Sequence, residues 1–450
     1  MKVTIKEKTM VRPAEETPRQ QLWLSNLDLL QLKAHVRTVY AYTNSTTDSS
    51  ELFFDTKVLK DALSRALVQF YPMAGRLIGP EKGKGSGRLE LECNGEGALF
   101  LEAETEASID ELGEFVPSSE VQLGELVPGV DCYNEISSVP MLVLQVTRFR
   151  CGGVCLGIGV HHMVADGASA LQFINTWSEM ARAGGGCVLR NIATTTTVPS
   201  FDRTILRARD PPTPKFHHTE YDPHPTMITP TPTPLIPSTP IIHMMKITQN
   251  QITSLKNKAN ITLSGNRYSN HDILTAHIWR CATRARGLPD KQPTKLQISV
   301  DGRSRLNPTM PPTFFGNVIF HATPIATAGE LAAETIADTA DRIRRAISRM
   351  DDEYLRSAID YLEDLGSKDG VIRVPGPCRS PNLKLVSWIR LPFRNADFGW
   401  GSPILIRKAA DYNEGTGHIL PPSGDDGSLP LVICLEAGVV ETFQKLFYET

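Results

Sequence analysis

The chain predicts a mixed α/β fold built in two halves. Apolar residues recur with a period of two in short runs and of three to four in longer ones, and both kinds of run occur in each half. Between the halves, residues 183–240 are rich in Gly, Pro and Thr and follow neither period. The 450 residues, 41% of them hydrophobic, also exceed what one core usually holds. The expected division is therefore 1–190 and 241–450, with 191–240 as a crossover loop.

In the first half, Val3 and Ile5 mark a strand and Thr38-Val39-Tyr40-Ala41-Tyr42 another, with Leu22-Trp23-Leu24 and Leu27-Asp28-Leu29 as packing segments between them. Val58, Leu59, Ala62, Leu63, Ala66, Leu67 and Phe70 recur at three and four, an amphipathic helix that Pro72 ends. Arg76-Leu77-Ile78 and Leu89-Glu90-Leu91 flank a Gly/Lys tip at residues 83–87. A hairpin fits this tip better than a phosphate loop, because no helix pattern or Lys-Ser/Thr follows. Met141 to Phe149 and Val154 to Val160 flank Gly152-Gly153 as a second hairpin.

Within the crossover, Phe201-Asp202-Arg203-Thr204 and the stretch 207–212 read as anchored segments. The second half predicts strands over Ile241–Ile247, Lys295–Val300, Phe315–Ala322, Leu383–Arg390 and Leu429–Glu436. Helices are expected over Gln249–Asn257 and Asp272–Arg284, and a long helical segment over Gly329–Leu365.

Charge is nearly balanced, 47 Lys plus Arg against 50 Asp plus Glu, so nothing in it points to nucleic acid. No run approaches the roughly 20 apolar residues of a membrane span, and the first ten residues lack the apolar region of a signal peptide. The eight cysteines are scattered without a Cys-x-x-Cys pair. That pattern suits reduced thiols in a cytoplasmic protein better than a disulfide framework or a zinc site.

The chemistry is expected at His161-His162-Met163-Val164-Ala165-Asp166-Gly167. An apolar strand with two glycines precedes this turn, and Leu171, Ile174, Trp177 and Met180 follow at helical spacing. A nucleophile elbow fails, since Leu171 stands where Gly-x-Ser-x-Gly needs its last glycine. A metal site is disfavoured, because the spacing of His162 and Asp166 suits a helix rather than a turn, and no third ligand is near in sequence. From the residues alone, a buried hydrogen-bonded histidine pair and a general base organised by Asp166 both remain open.

His162-x-x-x-Asp166-Gly167, paired with Asp397-Phe398-Gly399-Trp400-Gly401 near the C-terminus, resembles the plant BAHD acyl-CoA-dependent acyltransferases. Met10-Val11-Arg12-Pro13-Ala14, Ser25-Asn26, the stretches 70–77, 92–97 and 206–212, Asp301-Gly302-Arg303-Ser304-Arg305-Leu306 and Phe315-Gly316-Asn317-Val318-Ile319-Phe320 carry the resemblance across nearly the whole chain. They point to the branch that transfers hydroxycinnamoyl groups to shikimate.

The resemblance implies two similar chloramphenicol-acetyltransferase-like domains with a solvent channel between them. His162 would take the proton of an acceptor hydroxyl as it attacks the thioester of a hydroxycinnamoyl-CoA. Trp388 would hold the tetrahedral oxyanion through its indole N–H. Asp166 would turn away to pair with an arginine of the second domain, for which Arg280 is the candidate. Gly167, Asp397, Gly399 and Trp400 would be structural.

Arg373, fifteen residues before Trp388, would bind the acceptor carboxylate, with His35, Thr38 and Tyr40 as further acceptor contacts. Lys256 and Lys258 would meet the CoA phosphates. Acyl-CoA would be a co-substrate, with no resident cofactor and no metal, and the enzyme a cytoplasmic monomer. Val386 and Val36 stand where hydroxyl-bearing or small polar residues are usual in the family, which leaves quinate, another hydroxy acid or an amine such as spermidine open.

Overall fold

Strand alternation and helix caps lay the chain out as two large mixed sheets. The computed structural model describes all residues except 45–52, 80–86, 114–122, 133–134, 185–197, 229–239, 261–267, 367–375, 411, 423–425 and 450. The first half contains β1 (Val3–Val11), β2 (Gln21–Trp23), β3 (His35–Tyr42), β4 (Arg76–Ile78), β5 (Glu90–Glu92), β6 (Ala98–Thr105), β7 (Leu142–Phe149) and β8 (Val154–His161). The second half contains β9 (Pro240–Ile247), β10 (Pro293–Asp301), β11 (Ile319–Ala322), β12 (Ile325–Thr327), β13 (Leu383–Ser387), β14 (Leu405–Lys408), β15 (Thr416–Ile419) and β16 (Leu429–Glu436).

The first sheet runs β1-β6-β7-β8-β3-β14 and the second β11-β10-β13-β15-β16-β9, with β12 also on β10. A small sheet β2-β5-β4 joins the strands that flank the Gly/Lys tip; of the tip, residues 83–86 lie outside the described residues. One strand crosses over. β14 comes from the second half yet pairs antiparallel with β3, Leu405 opposite Ala41 and Lys408 opposite Thr38. The stretch leading into it joins the same half: Trp388, Phe393, Ala396 and Phe398, with Ile406 of β14 itself, are buried in the first half's core.

Short helix α1 (Asn26–Leu29) begins at Ser25 with a capping box to Asp28. Helix α2 (Thr56–Gln69) buries Leu59, Ala62, Leu63, Ala66 and Leu67 against α3 (Gly167–Gly184) and the first sheet. Each large member of that stripe contributes about 1.5–3 kcal/mol relative to an exposed position. In the second half, α4 (Gln249–Asn260) and α5 (Asn270–Ala285) pack together, and α5 also meets the later helices.

The stretch expected as one helical segment is three helices: α6 (Ala328–Ala333), α7 (Ile336–Ser348) and α8 (Asp352–Gly366). The first two each start in their own capping box, Thr327 with Glu330 and Thr335 with Asp338. The C-terminal α9 (Ala437–Tyr448) covers α5.

The crossover is strapped onto α8. Asp360 accepts the N–H groups of Arg209 (2.8 Å) and Thr213 (3.0 Å) and pairs with the Arg209 guanidinium at 2.6 Å. Ser357 Oγ accepts from the Lys215 and Phe216 N–H groups and contacts His218 Nε2 at 2.9 Å. Arg203, buried, pairs with buried Asp28 at 3.0 Å.

Candidate active site

β8 delivers the histidine turn. Gly157 and Gly159 are small because β8 runs under neighbouring chain: a Cβ on Gly157 would lie 1.9 Å from the Leu126 carbonyl oxygen, and one on Gly159 2.6 Å from a Val143 methyl. At the strand's end the backbone of His162 is held on both sides. Its N–H donates to the Ala34 carbonyl (3.0 Å), and its carbonyl accepts from Asn317 Nδ2 (2.9 Å). Asn317 is itself fixed by Asp28, whose Oδ1 accepts both its N–H (3.0 Å) and its side-chain amide (2.9 Å). Two motifs far apart in sequence thus place one imidazole.

That imidazole faces a cavity of about 360 Å³ between the two sheets. From the first sheet come Val36, Thr38 and Tyr40, alternate residues of β3, with Val160 and His162. From the second come Ser299 and Asp301 of β10, Ile319 and His321 of β11, Lys384 and Val386 of β13 with Trp388 beyond it, and Thr416 and His418 of β15. The spacing of two within each strand shows that they share one pleated face. Burial holds the His162 pKa below the ordinary imidazole value; Lys384 adds to the shift, while the residue's own backbone, Asp166 and Asn317 oppose it. A depressed pKa keeps the ring neutral near pH 7, the state a proton acceptor requires.

Trp388 is buried among Phe393 (centroids 5.1 Å apart) and His418 (5.5 Å), and its indole N–H donates to no protein group among the described residues. Among the described residues His162 Nδ1, His321 Nδ1 and His418 Nδ1 also lack hydrogen-bond partners, although buried groups of this kind are rarely left unpaired. Thr38 Oγ1 donates to the Ile158 carbonyl at 3.3 Å.

Asp166 turns away from the cavity centre and is fully satisfied. Its carboxylate accepts from Ser169 N (3.0 Å) and Val318 N (3.1 Å), and from Arg303 Nη1 (2.8 Å) and Nη2 (3.0 Å) in a bidentate pair. The expected partner, Arg280, is elsewhere. It donates to the Glu334 carbonyl and to Thr339 Oγ1, because α5 faces α6 and α7 rather than the turn. The sheet register explains Arg303: Asp301 lies opposite Ile319, so Arg303, two residues past β10, meets the chain at Gly316 to Val318, beside Asp166.

His35 is a second correction. Alternation along β3 sends Val36, Thr38 and Tyr40 into the cavity and His35 to the opposite face, where Nε2 bonds the Pro140 carbonyl at 2.7 Å and the ring meets His161 edge-on at 5.5 Å. His161 is fully buried, and burial pushes its pKa down to about 3.

Gly167 opens α3 at the cavity wall, where a Cβ would come within 3.1 Å of Leu391. In the Asp397 motif, Oδ1 accepts from the N–H groups of Gly399 (2.9 Å) and Gly401 (3.0 Å), both in the positive-φ region that favours glycine. Phe398 packs on Trp177 (4.6 Å) and Trp400 on Phe54 (5.0 Å), away from the cavity. Arg373 lies outside the described residues. Lys256, half-buried, and Lys258, exposed, sit on α4 and do not border the cavity.

Arg303, Asn317, His321 and Lys384 carry parts of this site that the sequence reading did not assign. Arg303 and Asn317 lie inside quoted motifs. Lys384 shares a strand face with Trp388, so period-two spacing was the signal for it.

Comparison with known proteins agrees with this geometry. The model of the Transferase family matches residues 1–450. The chain is 47% identical to the shikimate O-hydroxycinnamoyltransferase of Nicotiana tabacum, over 100% of both chains. It is 44% identical to a hydroxycinnamoyl-CoA:5-hydroxyanthranilate N-hydroxycinnamoyltransferase of Avena sativa, over 99% of each. The crystal structure of vinorine synthase superposes with a TM-score of 0.71 at 20% identity, covering 98% of this chain and 96% of that one, and so shares its fold. The cavity-facing histidine, the bidentate pair behind it and the full-length match together make this chain a member of the Transferase family, the BAHD acyl-CoA-dependent acyltransferases.

Proposed function

We propose that this enzyme transfers a hydroxycinnamoyl group, p-coumaroyl or caffeoyl, from its CoA thioester to a hydroxyl of shikimate or a similar hydroxy acid. The observation that carries the reading is the half-buried His162 ring at the wall of a cavity that Trp388 also borders. An alcohol does not ionise unaided at neutral pH, so a neutral imidazole within reach accepts its proton as the oxygen attacks the thioester carbonyl. The Trp388 N–H stabilises the oxyanion, and collapse expels the CoA thiolate. Protonated His162 then returns its proton to the leaving sulfur. No acyl-enzyme forms, so both substrates must be bound together and kinetics are sequential.

Thr38 and Tyr40 contact the acceptor and Arg373 its carboxylate, which a guanidinium grips with two parallel bonds. Lys256 and Lys258 meet the CoA phosphates from α4. The reading extends to a cytoplasmic monomer with acyl-CoA as co-substrate and no resident cofactor. Support comes from the Nicotiana relative; the Avena relative, named for an amine acceptor that is also an acid, keeps transfer to nitrogen as the second reading.

The test is CoA release from p-coumaroyl-CoA with a panel of shikimate, quinate, 5-hydroxyanthranilate and neutral phenols, on wild type and Arg373→Ala. Transfer to shikimate or quinate that collapses in the variant, with neutral phenols much less affected, is the expected result. Equal loss on all acceptors removes Arg373 from the acceptor site. Preference for the amine replaces the ester-forming reading.

A further inference from the structure

Lys384 is a cation in the wrong place for a structural residue. It lies on β13, one pleat from Val386 and two from Trp388, and its side chain enters the same cavity as theirs. In the neighbouring strand Thr416 is opposite Lys384 and His418 opposite Val386; on the other side His321 pairs with Ser299 of β10, the strand beside β13. With strands roughly 5 Å apart, these groups form one polar patch on the cavity floor.

Among the described residues, the Lys384 ammonium makes no hydrogen bond and no ion pair; its backbone N–H donates to the Gly415 carbonyl at 2.7 Å. The acids bordering the cavity, Asp166 and Asp301, are both taken by Arg303. Burial pushes the Lys384 pKa down, and keeps the His321 and His418 pKa values well below normal, so the imidazoles beside it are neutral. Two buried atoms with no partner among the described residues, His321 Nδ1 and His418 Nδ1, border the same space. Val386, the apolar neighbour on this face, offers no compensating group. An ammonium half-buried without an anion persists where a ligand supplies one.

We propose that Lys384, with His321 beside it, binds a substrate carboxylate inside the cavity and thereby selects acidic substrates. The inference rests on the acyl-transfer reading of this cavity and adds a residue to it. The carboxylate belongs either to the acceptor or to the far end of a dicarboxylic acyl chain. The phosphates of CoA are held away from the thioester by the pantetheine arm, and so do not reach a group beside the base.

The test compares wild type, Lys384→Met and Lys384→Arg in two arms. The first uses p-coumaroyl-CoA with shikimate and with its neutral methyl ester, which keeps the same hydroxyls. The second uses malonyl-CoA against acetyl-CoA with one neutral phenol. A lost charge-assisted contact raises the acid-to-ester KM ratio about tenfold or more in Lys384→Met, with Lys384→Arg recovering most of it. A change confined to the malonyl arm assigns the carboxylate to the donor. An unchanged ratio in both arms overturns the proposal.

Melting temperature with and without shikimate adds a readout free of turnover. Lys384→Met without ligand melts no lower than wild type, since an unpaired buried charge is removed, and the shift that shikimate induces is lost. If wild type releases no CoA from any pair, the acyl-transfer reading fails, and the melting experiment still decides Lys384: an equal shift in wild type and Lys384→Met overturns it.

Discussion

Asp166→Ala tests the joint behind the active-site turn. The Asp166 carboxylate is 1% exposed and Arg303 13% exposed, so both charges are largely withdrawn from water. The substitution removes two guanidinium bonds and two backbone N–H bonds and leaves the Arg303 charge facing only Asp301, itself half in solvent. Breaking a buried pair from one side costs about 3–5 kcal/mol.

Arg303→Met leaves the Asp166 carboxylate with two backbone donors, so its cost lies toward the lower end of the same range of roughly 3–5 kcal/mol. The double variant has no orphaned charge and loses about as much as the worse single one. A double-mutant cycle should therefore give a coupling of about 3 kcal/mol, the cost of the lesser single variant. Asp166→Asn does not rescue, because its amide presents N–H groups to donors. The assay is urea unfolding at pH 7 followed by tryptophan fluorescence, accepted where the m-value is unchanged. Losses that simply add, with coupling under about 0.5 kcal/mol, would refute the pairing as the organiser of the turn.

Three further outcomes follow from the geometry. Trp388→Phe keeps most of the packing on Phe393 but deletes the indole N–H, so kcat should fall about 10²–10³-fold while KM moves little. The acid limb of kcat/KM for wild type should lie below the ordinary histidine pKa of about 6.5, because burial lowers that of His162; a limb above it contradicts the site's polarity.

Stability should also fall with acid. His161 and His277 have folded pKa values lowered to about 3 and about 4, so the unfolded chain takes up protons first. Their contribution is complete above about pH 6.5 and is lost as pH falls toward the folded values, by about 1.4 kcal/mol per unit for each. Unfolding midpoints measured from pH 7 to 5 check the sign.

Much of this was legible in residue spacing, and the failures have physical causes. The apolar stripe of α2 and the hairpin of β7 and β8 are local patterns, and local patterns show directly in sequence. The capping boxes at Thr327 and Thr335 were also visible, and reading them would have divided the long helical segment. Long-range pairing left no such trace. Four residues, Leu405 to Lys408, cross into the first sheet, and nothing in their composition names β3 as the partner.

The arginine of the bidentate pair was misassigned for the same reason: only the register of β10 with β11 brings Arg303, rather than Arg280, to Asp166. Alternation along β3 already separates His35 from Val36, Thr38 and Tyr40, since the strand neighbour of a cavity residue faces away from the cavity. Lys384 was passed over because a lysine in a strand usually faces water; the second sheet's inner face turns it inward instead.

Acyl transfer in this cavity turns on one imidazole. The most direct measurement is kcat/KM for p-coumaroyl-CoA and a preferred acceptor with His162→Ala, alongside melting temperature and circular dichroism on the same preparation. A fall of about 10²–10⁴-fold with the fold intact is the predicted result. Activity within tenfold of wild type in a folded variant would contradict it, and the proton would then have to leave the acceptor by another route.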